Sequence, residues 1–320
     1  MIYVTGATGF IGARLTRRLL ERGERVRILV RDPARAEKLK ALGAELVQGD
    51  VADEATHRAG LRDAHLAFHL AAIYDVGVVD HRALERTNIE GTRAFLSAIA
   101  TAQTPRAVYT SSTVALGPTR TDGEEPREAY AGPYPSHYHR TKAEAHRLAR
   151  AAQERGQPII IVCPAFVYGP GDNGPGGRFV RDLLRRRVPA LLTAPSRLSF
   201  VHVDDVVDGL IAAGQRGQLG ETYILNGEAA SLNHYAARVA KLGATRPPVL
   251  RFPPALARMT GVVLDAIARP TGLQFPLSRE AVTTTSGGDW IHGRARSERD
   301  LGYAPRSLDQ GLPETVASWR

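Results

Sequence analysis

The sequence predicts an α/β protein built on a doubly wound parallel sheet, with a smaller lobe in its C-terminal part. Strand-like and helix-like segments alternate six times before residue 165, which is typical of parallel strands whose connecting helices cover both faces. A glycine-rich turn joins the first of these strands to the first helix. We expect the sheet domain to take residues 1–170, with 198–221 returning to it, and the lobe to take mainly 171–197 and 222–320.

Short apolar runs define the predicted strands, and apolar residues at helical spacing define the predicted helices. We expect strands at residues 2–4, 25–30, 45–47, 64–72, 106–112, 158–162 and 221–225. We expect the main helices at residues 13–20, 84–102, from about 136 onward, 178–187 and 252–268. The last helix carries Leu256, Met259, Val263 and Ile267 on one face. That face is expected in the core or as a pocket lid, with a membrane-surface helix as the alternative.

The turn after the first strand, T-G-A-T-G-F-I-G at residues 5–12, predicts a dinucleotide site. Gly6 suits a tight turn, Gly9 leaves room for a pyrophosphate, and Gly12 lets the helix pack closely on the strand. The free N–H groups and the positive dipole end of the helix then face the phosphates. The candidate cofactor residues in this turn are Gly6, Thr8, Gly9, Phe10, Ile11 and Gly12.

The end of the second strand bears on which nicotinamide cofactor is used. An NAD-binding fold usually places an acid about 20 residues past the glycines, for the ribose 2′-hydroxyl. Here Arg31 stands at that point and Arg35 follows it. Because guanidinium groups suit a 2′-phosphate, we expect a preference for NADP(H). The adjacent Asp32 keeps NAD(H) as a possible cofactor.

Small and hydroxyl side chains mark the carboxyl ends of later strands, where open α/β sheets bind ligands. Leu70, Ala71 and Ala72 end the fourth strand and would let a cofactor lie close. Tyr74 follows them and is positioned to line a substrate pocket. The fifth strand ends in the hydroxyls of residues 110–113. We therefore expect the cofactor and the substrate to meet at this edge.

Tyr138 and Lys142 stand four residues apart on a predicted helix, so that both lie on one face. A phenol has a pKa near 10, and a neighbouring ammonium lowers that pKa toward the working range of a proton donor. Only four of the 42 basic residues are lysine, so a lysine here is unusual against the composition. We expect Tyr138 to transfer the proton, and Lys142 to lower its pKa and hold the nicotinamide ribose.

These motifs together resemble the extended short-chain dehydrogenase/reductase family, part of the NAD-dependent epimerase/dehydratase superfamily. Further strings that match are T-N-I-E-G-T at 87–92, Y-T-S-S-T-V-A-L-G at 109–117 and F-V-H-V-D-D-V at 200–206. The resemblance is strong over residues 1–171 and weaker beyond. It is greatest to the dihydroflavonol-reductase-like and the hopanoid-associated sugar epimerase branches. It implies a Rossmann-like fold, and a homodimer in which two long helices pair.

The resemblance also implies roles for single residues. Ser112 is expected to be the catalytic serine, in preference to Ser111. The residues that match the family's contacts to the adenine and the nicotinamide amide are Asp50, Val51, Pro164, Ala165 and Val167. The candidate substrate contacts are Tyr74, Thr113, Phe166, Arg178 and Arg197. In the same region Asp204 or Asp205 is expected to cap a helix, and His202 to be structural.

Three functions follow from these expectations. The first is an NADPH-dependent ketone or aldehyde reductase, in which Tyr138 donates a proton, Ser112 stabilises the developing negative charge and the cofactor supplies hydride. The second is a sugar-nucleotide epimerase or dehydratase with tightly held NAD, in which Arg178 or Arg197 grips the substrate pyrophosphate. The third is a regulator that senses NADP without turnover.

Composition limits the partners. The net charge of +9 comes from scattered basic residues with no nucleic-acid motif, so we expect a small-molecule substrate and no nucleic acid. No apolar run approaches the roughly 20 residues that span a bilayer, and the start does not resemble a signal peptide. Cys163 is the single cysteine, which favours a cytoplasmic protein. No metal site is expected.

Overall fold

The computed structural model describes residues 1–74, 80–193, 196–271 and 279–320. Its central sheet has seven parallel strands in the order β10-β6-β5-β4-β1-β2-β3. These strands are β1 Ile2–Thr5, β2 Val26–Val30, β3 Glu45–Gln48, β4 Leu66–His69, β5 Ala107–Thr110, β6 Ile159–Pro164 and β10 Thr222–Leu225. The strand order reverses between β1 and β4, and the predicted doubly wound parallel sheet is confirmed.

Thirteen α-helices are found in the described part of the chain. They are α1 Phe10–Glu21, α2 Glu37–Ala41, α3 Glu54–Leu61, α4 His81–Glu85, α5 Gly91–Ala102, α6 His137–Glu154, α7 Pro175–Leu184, α8 Val203–Arg216, α9 Leu232–Leu242, α10 Pro254–Thr271, α11 Arg279–Ser286, α12 Ala295–Leu301 and α13 Leu308–Ala317. Helices α1 and α8 pack together on one side of the sheet, and α3, α5 and α6 on the other. Side chains of β1 alternate between these two cores, with Ile2 and Val4 in one and Tyr3 in the other.

The helix expected over residues 84–102 is interrupted by a π-helical turn. Arg86–Glu90 forms that turn between α4 and α5. Asn88 lies within it and is buried, with its carboxamide bonded to both backbone groups of Ile73. A π turn adds one residue to the helical turn and re-aims the side chains around it, and such turns are frequent at functional sites. The apolar periodicity of the sequence does not indicate the extra residue of this π turn.

The N-cap of helix α8 lies two or three residues before the predicted one. This N-cap is His202, whose ring accepts a hydrogen bond from the backbone N–H of Asp204 at 3.2 Å. The prediction that Asp204 or Asp205 caps this helix is therefore wrong. Both acids lie in the first turn instead, where their negative charge suits the positive end of the helix dipole.

Two smaller sheets lie outside the central one. The first contains β7 Phe166–Tyr168, β9 Arg197–His202 and β11 Glu228–Ser231, and the second pairs β8 Ala190–Leu192 with β12 Leu250–Phe252. Strand β9 thus belongs to a smaller sheet, although its residues were expected to return to the main domain. Strand β10 belongs to the central sheet, although its residues were assigned to the lobe. The difference arises because a strand's sheet is set by its backbone hydrogen-bonding partners. The local sequence of a strand does not specify those partners.

Helix α10 differs from its prediction in which face it buries. Ala257 is fully buried, whereas Leu256, Met259 and Val263 are exposed. The expectation that this apolar face packs into the core is wrong, because α10 contacts α11 through its other side. None of the described helices is long and apolar enough to cross a membrane.

Candidate active site

The glycine turn is tightly packed at two of its glycines and open at the third. Gly6 has φ +71°, and a Cβ on it would lie 2.7 Å from the backbone of Leu70 and Ala71. A Cβ on Gly12 would lie 2.1 Å from the carbonyl oxygen of Gly6. Gly9 is the N-cap of α1 with no side-chain hydrogen bond, and a Cβ on it would meet only that oxygen, at 3.2 Å. The helix N-terminus therefore presents its N–H groups beside an open position, which fits a phosphate group.

The other residues predicted in the turn line the same opening. Thr8, Phe10 and Ile11 are partly buried, and the Arg14 guanidinium lies 5.3 Å from the centre of the Phe10 ring. Leu70, Ala71 and Ala72 follow β4, and the N–H of Ala71 donates to the hydroxyl of Thr5 at 3.3 Å. This bond ties the end of β4 to the glycine turn. The small side chains thus lie directly beside the turn, as the sequence predicts.

The end of β2 presents two exposed guanidinium groups, those of Arg31 and Arg35. The carboxylate of Asp32 accepts a hydrogen bond from the N–H of Ala34 at 3.0 Å and caps the short 3-10 helix Pro33–Ala36. Asp32 is therefore engaged locally, while no hydrogen bond or ion pair of the Arg35 side chain occurs within the described residues. The Asp32 carboxylate is thus occupied within the short helix, while the two guanidinium groups remain exposed.

Asp50 and Val51 lie at the end of the neighbouring strand β3. The N–H of Ala52 donates to the Asp50 carboxylate at 2.8 Å, and Arg86 pairs with it at 3.2 Å. The Ala52 bond and then Arg86 lower the pKa of Asp50. Val51 is buried against Gly91 at the start of α5. The pair forms one wall of the crevice at this edge, with Asp50 ionised.

The two serines that end β5 point in different directions. The Ser111 hydroxyl is buried and hydrogen-bonded to His146 at 2.8 Å. The Ser112 hydroxyl donates to the carbonyl of Pro164 at 3.4 Å and lowers the pKa of Tyr138 by hydrogen bonding. Ser112 therefore lies with Tyr138, whereas Ser111 is part of the packing behind the sheet.

Tyr138 lies in the first turn of α6, which is capped by Ser136. Burial is the main influence on its hydroxyl and raises its pKa, and the ring of Tyr74, 5.0 Å away between ring centres, raises it further. The Lys142 ammonium donates to the carbonyl of Thr110 at 3.1 Å instead of approaching the phenol. The expectation that Lys142 lowers the pKa of Tyr138 is not met in this structure, because desolvation dominates and the ammonium is held by the end of β5.

The pKa of Lys142 is itself shifted by its surroundings. It is buried beside the ring of Tyr109, with Nζ 5.6 Å from the ring centre, and burial lowers its pKa to about 8. The hydroxyl of Thr110, next to the carbonyl it contacts, is buried without a hydrogen-bond partner in the described part of the chain. A cation and an unsatisfied hydroxyl thus meet at the end of β5. Such a pair fits the polar ribose of a cofactor.

The perturbed Lys142 predicts a pH dependence of stability. Its folded pKa of about 8 lies below the ordinary value of 10.5, so between these values the unfolded chain binds more protons and stability rises with pH. Relative to Lys142→Met, the unfolding free energy of the wild type should rise by about 2 kcal/mol from pH ~7.5 to pH ~9.5. Urea unfolding of both proteins at the two pH values measures this. A constant difference between them would contradict the burial of a titrating ammonium.

The predicted substrate residues fall into two groups. Tyr74 contacts Tyr138, and Arg178, whose guanidinium donates to the carbonyl of Asn173 at 3.3 Å, lies in α7. Thr113 is only 4% exposed. The Phe166 ring packs on Phe200 with 5.1 Å between ring centres. Buried or core-packed side chains offer little surface to a substrate, so Thr113 and Phe166 are weaker candidates than Tyr74.

Arg197 is already neutralised by two carboxylates. Its guanidinium donates to Asp289 at 2.6 Å and to Asp122 at 3.1 Å. These acids lie 92 and 75 residues away in the sequence, which is why the pairing could not be foreseen. The arrangement argues against the expected role of Arg197 in holding a substrate pyrophosphate.

The cofactor contacts expected after β6 lie at the same edge. Pro164 ends β6, Val167 lies in β7, and the N–H of Ala165 between them donates to the carbonyl of Leu225 at 3.0 Å. Because the parallel strands β5 and β6 end side by side, Pro164 meets Ser112. The expected turn is in fact a link between two sheets. It brings the backbone of residues 164–167 beside the serine.

Two residues near the site had no role in the sequence prediction. Asn88 bonds Ile73 and also donates to the hydroxyl of Thr141 at 3.0 Å, so it holds the segment before Tyr74 against α6. The Nδ1 atom of His139 lies 2.7 Å from the Ser136 hydroxyl, and the other ring nitrogen is Nε2. That atom is buried without a hydrogen-bond partner in the described residues, and the ring lies 5.3 Å from Trp290. For Asn88, the sequence offered two signals: an asparagine inside an apolar helix, and the matching string at residues 87–92.

One group of potential metal ligands is present in the described residues, namely His202, Asp204 and Glu314. Asp204 pairs with Arg14 at 3.4 Å, and Glu314 pairs with Arg306 at 3.1 Å. Nδ1 of His202 already accepts a backbone hydrogen bond. Because both acids are paired with arginines and Nδ1 of His202 is occupied, the group is better explained as a structural network at the start of α8.

The fold and the site together define a class of protein. A glycine turn at the N-terminus of a helix, a tyrosine–lysine pair and a serine, all at the carboxyl edge of a parallel sheet, are the elements of a nicotinamide-dependent oxidoreductase. Residues 2–225 match the sequence profile of the NAD dependent epimerase/dehydratase family. The chain belongs to this family and is an enzyme of the extended short-chain dehydrogenase/reductase type.

Comparison with individual proteins agrees with this assignment. The chain is 33% identical over 323 residues to a putative dihydroflavonol 4-reductase of Synechocystis sp., covering 98% of this chain and 93% of that one. It is 31% identical over 329 residues to the sterol demethylase protein B of Methylococcus capsulatus, covering 99% and 97%. The crystal structure of gox2253 superposes with a TM-score of 0.84 at 31% identity, covering 100% and 98%. The enzyme class thus has support that the hypothesis of a non-catalytic sensor lacks.

Proposed function

We propose that the protein is an NADPH-dependent reductase of a ketone or aldehyde. The observation that carries the proposal is that Ser112, after β5, and Tyr138, at the start of α6, come together on the sheet edge where the glycine turn also lies. The turn fits a dinucleotide because its one open position lies at an uncapped helix N-terminus. The residues that would hold the cofactor are those of the turn, Arg31, Arg35, Asp50, Val51, residues 70–72, Tyr138, Lys142, Pro164, Ala165 and Val167.

The chain's own groups would act on the substrate oxygen. A bound nicotinamide supplies the hydride to the carbonyl carbon. Tyr138 donates its hydroxyl proton to the carbonyl oxygen, and the raised pKa of this buried phenol keeps it protonated until the oxygen becomes basic. Ser112 donates a hydrogen bond to the same oxygen as its negative charge grows, which stabilises the transition state more than the ground state. Lys142 holds the polar ribose near Thr110.

The preference for NADPH is tested by calorimetric titration with NADPH and NADH. We expect tighter binding of NADPH, and we expect the double variant Arg31→Ala/Arg35→Ala to weaken it about 10-fold to 100-fold while leaving NADH binding unchanged. Arg62→Ala, an exposed arginine at the end of α3, is the matched control. Equal loss for both cofactors, or wild-type protein purified with NAD firmly bound, would favour the epimerase or dehydratase alternative instead.

We also propose a homodimer that works in the cytoplasm. The family resemblance supports pairing of α5 and α6 with their copies in a partner. Cys163 is fully buried, and burial raises its pKa to about 12, so this thiol is inert and needs no oxidised partner. Light scattering on the purified protein measures its molar mass in solution. The mass of a single chain would contradict the proposed homodimer.

A further inference from the structure

Most of the exposed large apolar side chains of the described chain lie around α10. Of the eleven large apolar side chains that are exposed in the described residues, seven lie between residues 249 and 267. We use the name α10 surface for six of them: Val249, Leu250, Leu256, Met259, Val262 and Val263. Val249 is 87% exposed and Met259 is 69% exposed. A contiguous patch of this kind, as opposed to scattered single residues, marks an interaction site.

Helical spacing places three of these residues on one side of α10. Leu256, Met259 and Val263 are separated by three and four residues, so they share one face. Ala257 faces the packed side and is buried, whereas Arg258 is exposed one turn before Val262, at the margin of the apolar region. Strand β12, which leads into α10, adds Leu250 to the same exposed region. The arrangement is that of an amphipathic helix whose apolar face has no cover in the described protein.

Positive charge predominates around this face, and Asp265 is the one acid in the sequence of α10. Residues 241–264 contain no acid, and neither do residues 183–193, which β8 brings beside β12. Exposed arginines are the only charged residues of these segments besides Lys241; they are Arg185, Arg186, Arg187, Arg246, Arg251 and Arg258. None of the six forms an ion pair within the described residues, whereas about half of the arginines elsewhere do. The surface therefore combines exposed apolar side chains with unbalanced positive charge.

We propose that the α10 surface docks on an anionic lipid bilayer. An apolar helix face flanked by basic residues lies in the interface between headgroups and acyl chains, where the face is buried and the cations meet the phosphates. Charge complementarity selects this occupant over an apolar protein groove, which would leave six cations without partners. Helix α10 packs on α11, and Glu280 of α11 accepts the N–H of His137 at the start of α6. Helix α11 therefore connects α10, which carries the docked face, to α6, which carries Tyr138.

Flotation of the full-length protein with vesicles tests the proposal without any assay of turnover. We expect the protein to float with mixed phosphatidylglycerol and phosphatidylcholine vesicles, less at high salt, and weakly with phosphatidylcholine alone. Met259→Ser/Val263→Ser should weaken binding to anionic vesicles at least about tenfold. Arg246→Gln/Arg251→Gln/Arg258→Gln should weaken it about fivefold per charge. Leu219→Ser, an exposed leucine outside the α10 surface, is the control and should bind as the wild type does.

Three results would overturn the proposal. The first is a wild type that does not float with anionic vesicles. The second is equal binding by the wild type and Met259→Ser/Val263→Ser, with both folded by circular dichroism. The third is a wild-type oligomer that this variant dissociates, since the α10 surface would then be covered by a second copy of the chain. Loss of reductase activity affects none of these measurements, so the proposed function and the docking fail independently.

Discussion

Tyr138→Phe is expected to lower kcat by about 10²-fold to 10⁴-fold, because it removes the hydroxyl that donates the proton to the carbonyl oxygen. The phenyl ring keeps the packing of the buried tyrosine against Tyr74, so the affinity for NADPH should change by less than about threefold. The measurement is the rate of NADPH oxidation with an aldehyde or ketone that the wild type reduces, together with calorimetric titration of NADPH.

Tyr134→Phe provides a control for the Tyr138 experiment. Tyr134 lies just before α6, and its hydroxyl donates to the carbonyl of Tyr130 at 2.9 Å, so it makes a local contact and leaves the crevice unchanged. We expect this variant to keep the wild-type kcat. If Tyr138→Phe retained most of its kcat, another group would have to donate the proton, and the role assigned to Tyr138 would be wrong.

Gly12→Ala should damage the fold and the cofactor site together. The added methyl would lie 2.1 Å from the Gly6 carbonyl oxygen and 2.8 Å from its carbon, both backbone atoms, so α1 must move away from β1. We expect a loss of about 3 kcal/mol in the free energy of unfolding. NADPH binding should also be lost, because the displaced helix N-terminus no longer presents its N–H groups to the phosphates. Urea unfolding and calorimetric titration measure the two effects.

Gly9→Ala separates these two effects. Its methyl would meet only the Gly6 oxygen, at 3.2 Å, so we expect a stability change within about 1 kcal/mol. The methyl would occupy the position open to a pyrophosphate, and the Kd for NADPH should rise about tenfold or more. Gly23→Ala, just past the far end of α1, has open space but a φ of +80°, so it should cost some stability while leaving NADPH binding unchanged. Identical NADPH affinity in Gly9→Ala and the wild type would place the phosphates elsewhere.

Local patterns predicted the parts of the site that lie within one turn or one strand. Gly6 needs its positive φ, and Gly12 its close approach, because of the strand–turn–helix geometry alone. Helix α6 starts where it is predicted, with Ser136 as its N-cap, and that start places Tyr138 and Lys142 on one face. These features depend on residues a few positions apart, so their physical causes are visible in the sequence.

Long-range contacts decided the features that the sequence predicted wrongly or not at all. Arg197 meets Asp289, Phe166 meets Phe200, and Lys142 meets the carbonyl of Thr110. Each pair joins segments more than 30 residues apart, and the sequence indicates the type of each side chain without indicating its neighbour. Desolvation of Tyr138 likewise depends on everything packed around it.

By itself the sequence determined a parallel α/β sheet, a glycine turn of the kind that holds a dinucleotide and the identity of the groups available for proton transfer. The tertiary structure alone decided where the Lys142 ammonium is held, which arginines stay unpaired and which face of α10 remains exposed. The physical reason is that backbone preferences and helical periodicity act over a few residues. Burial and charge pairing, by contrast, are set by atoms that only the complete fold brings into contact.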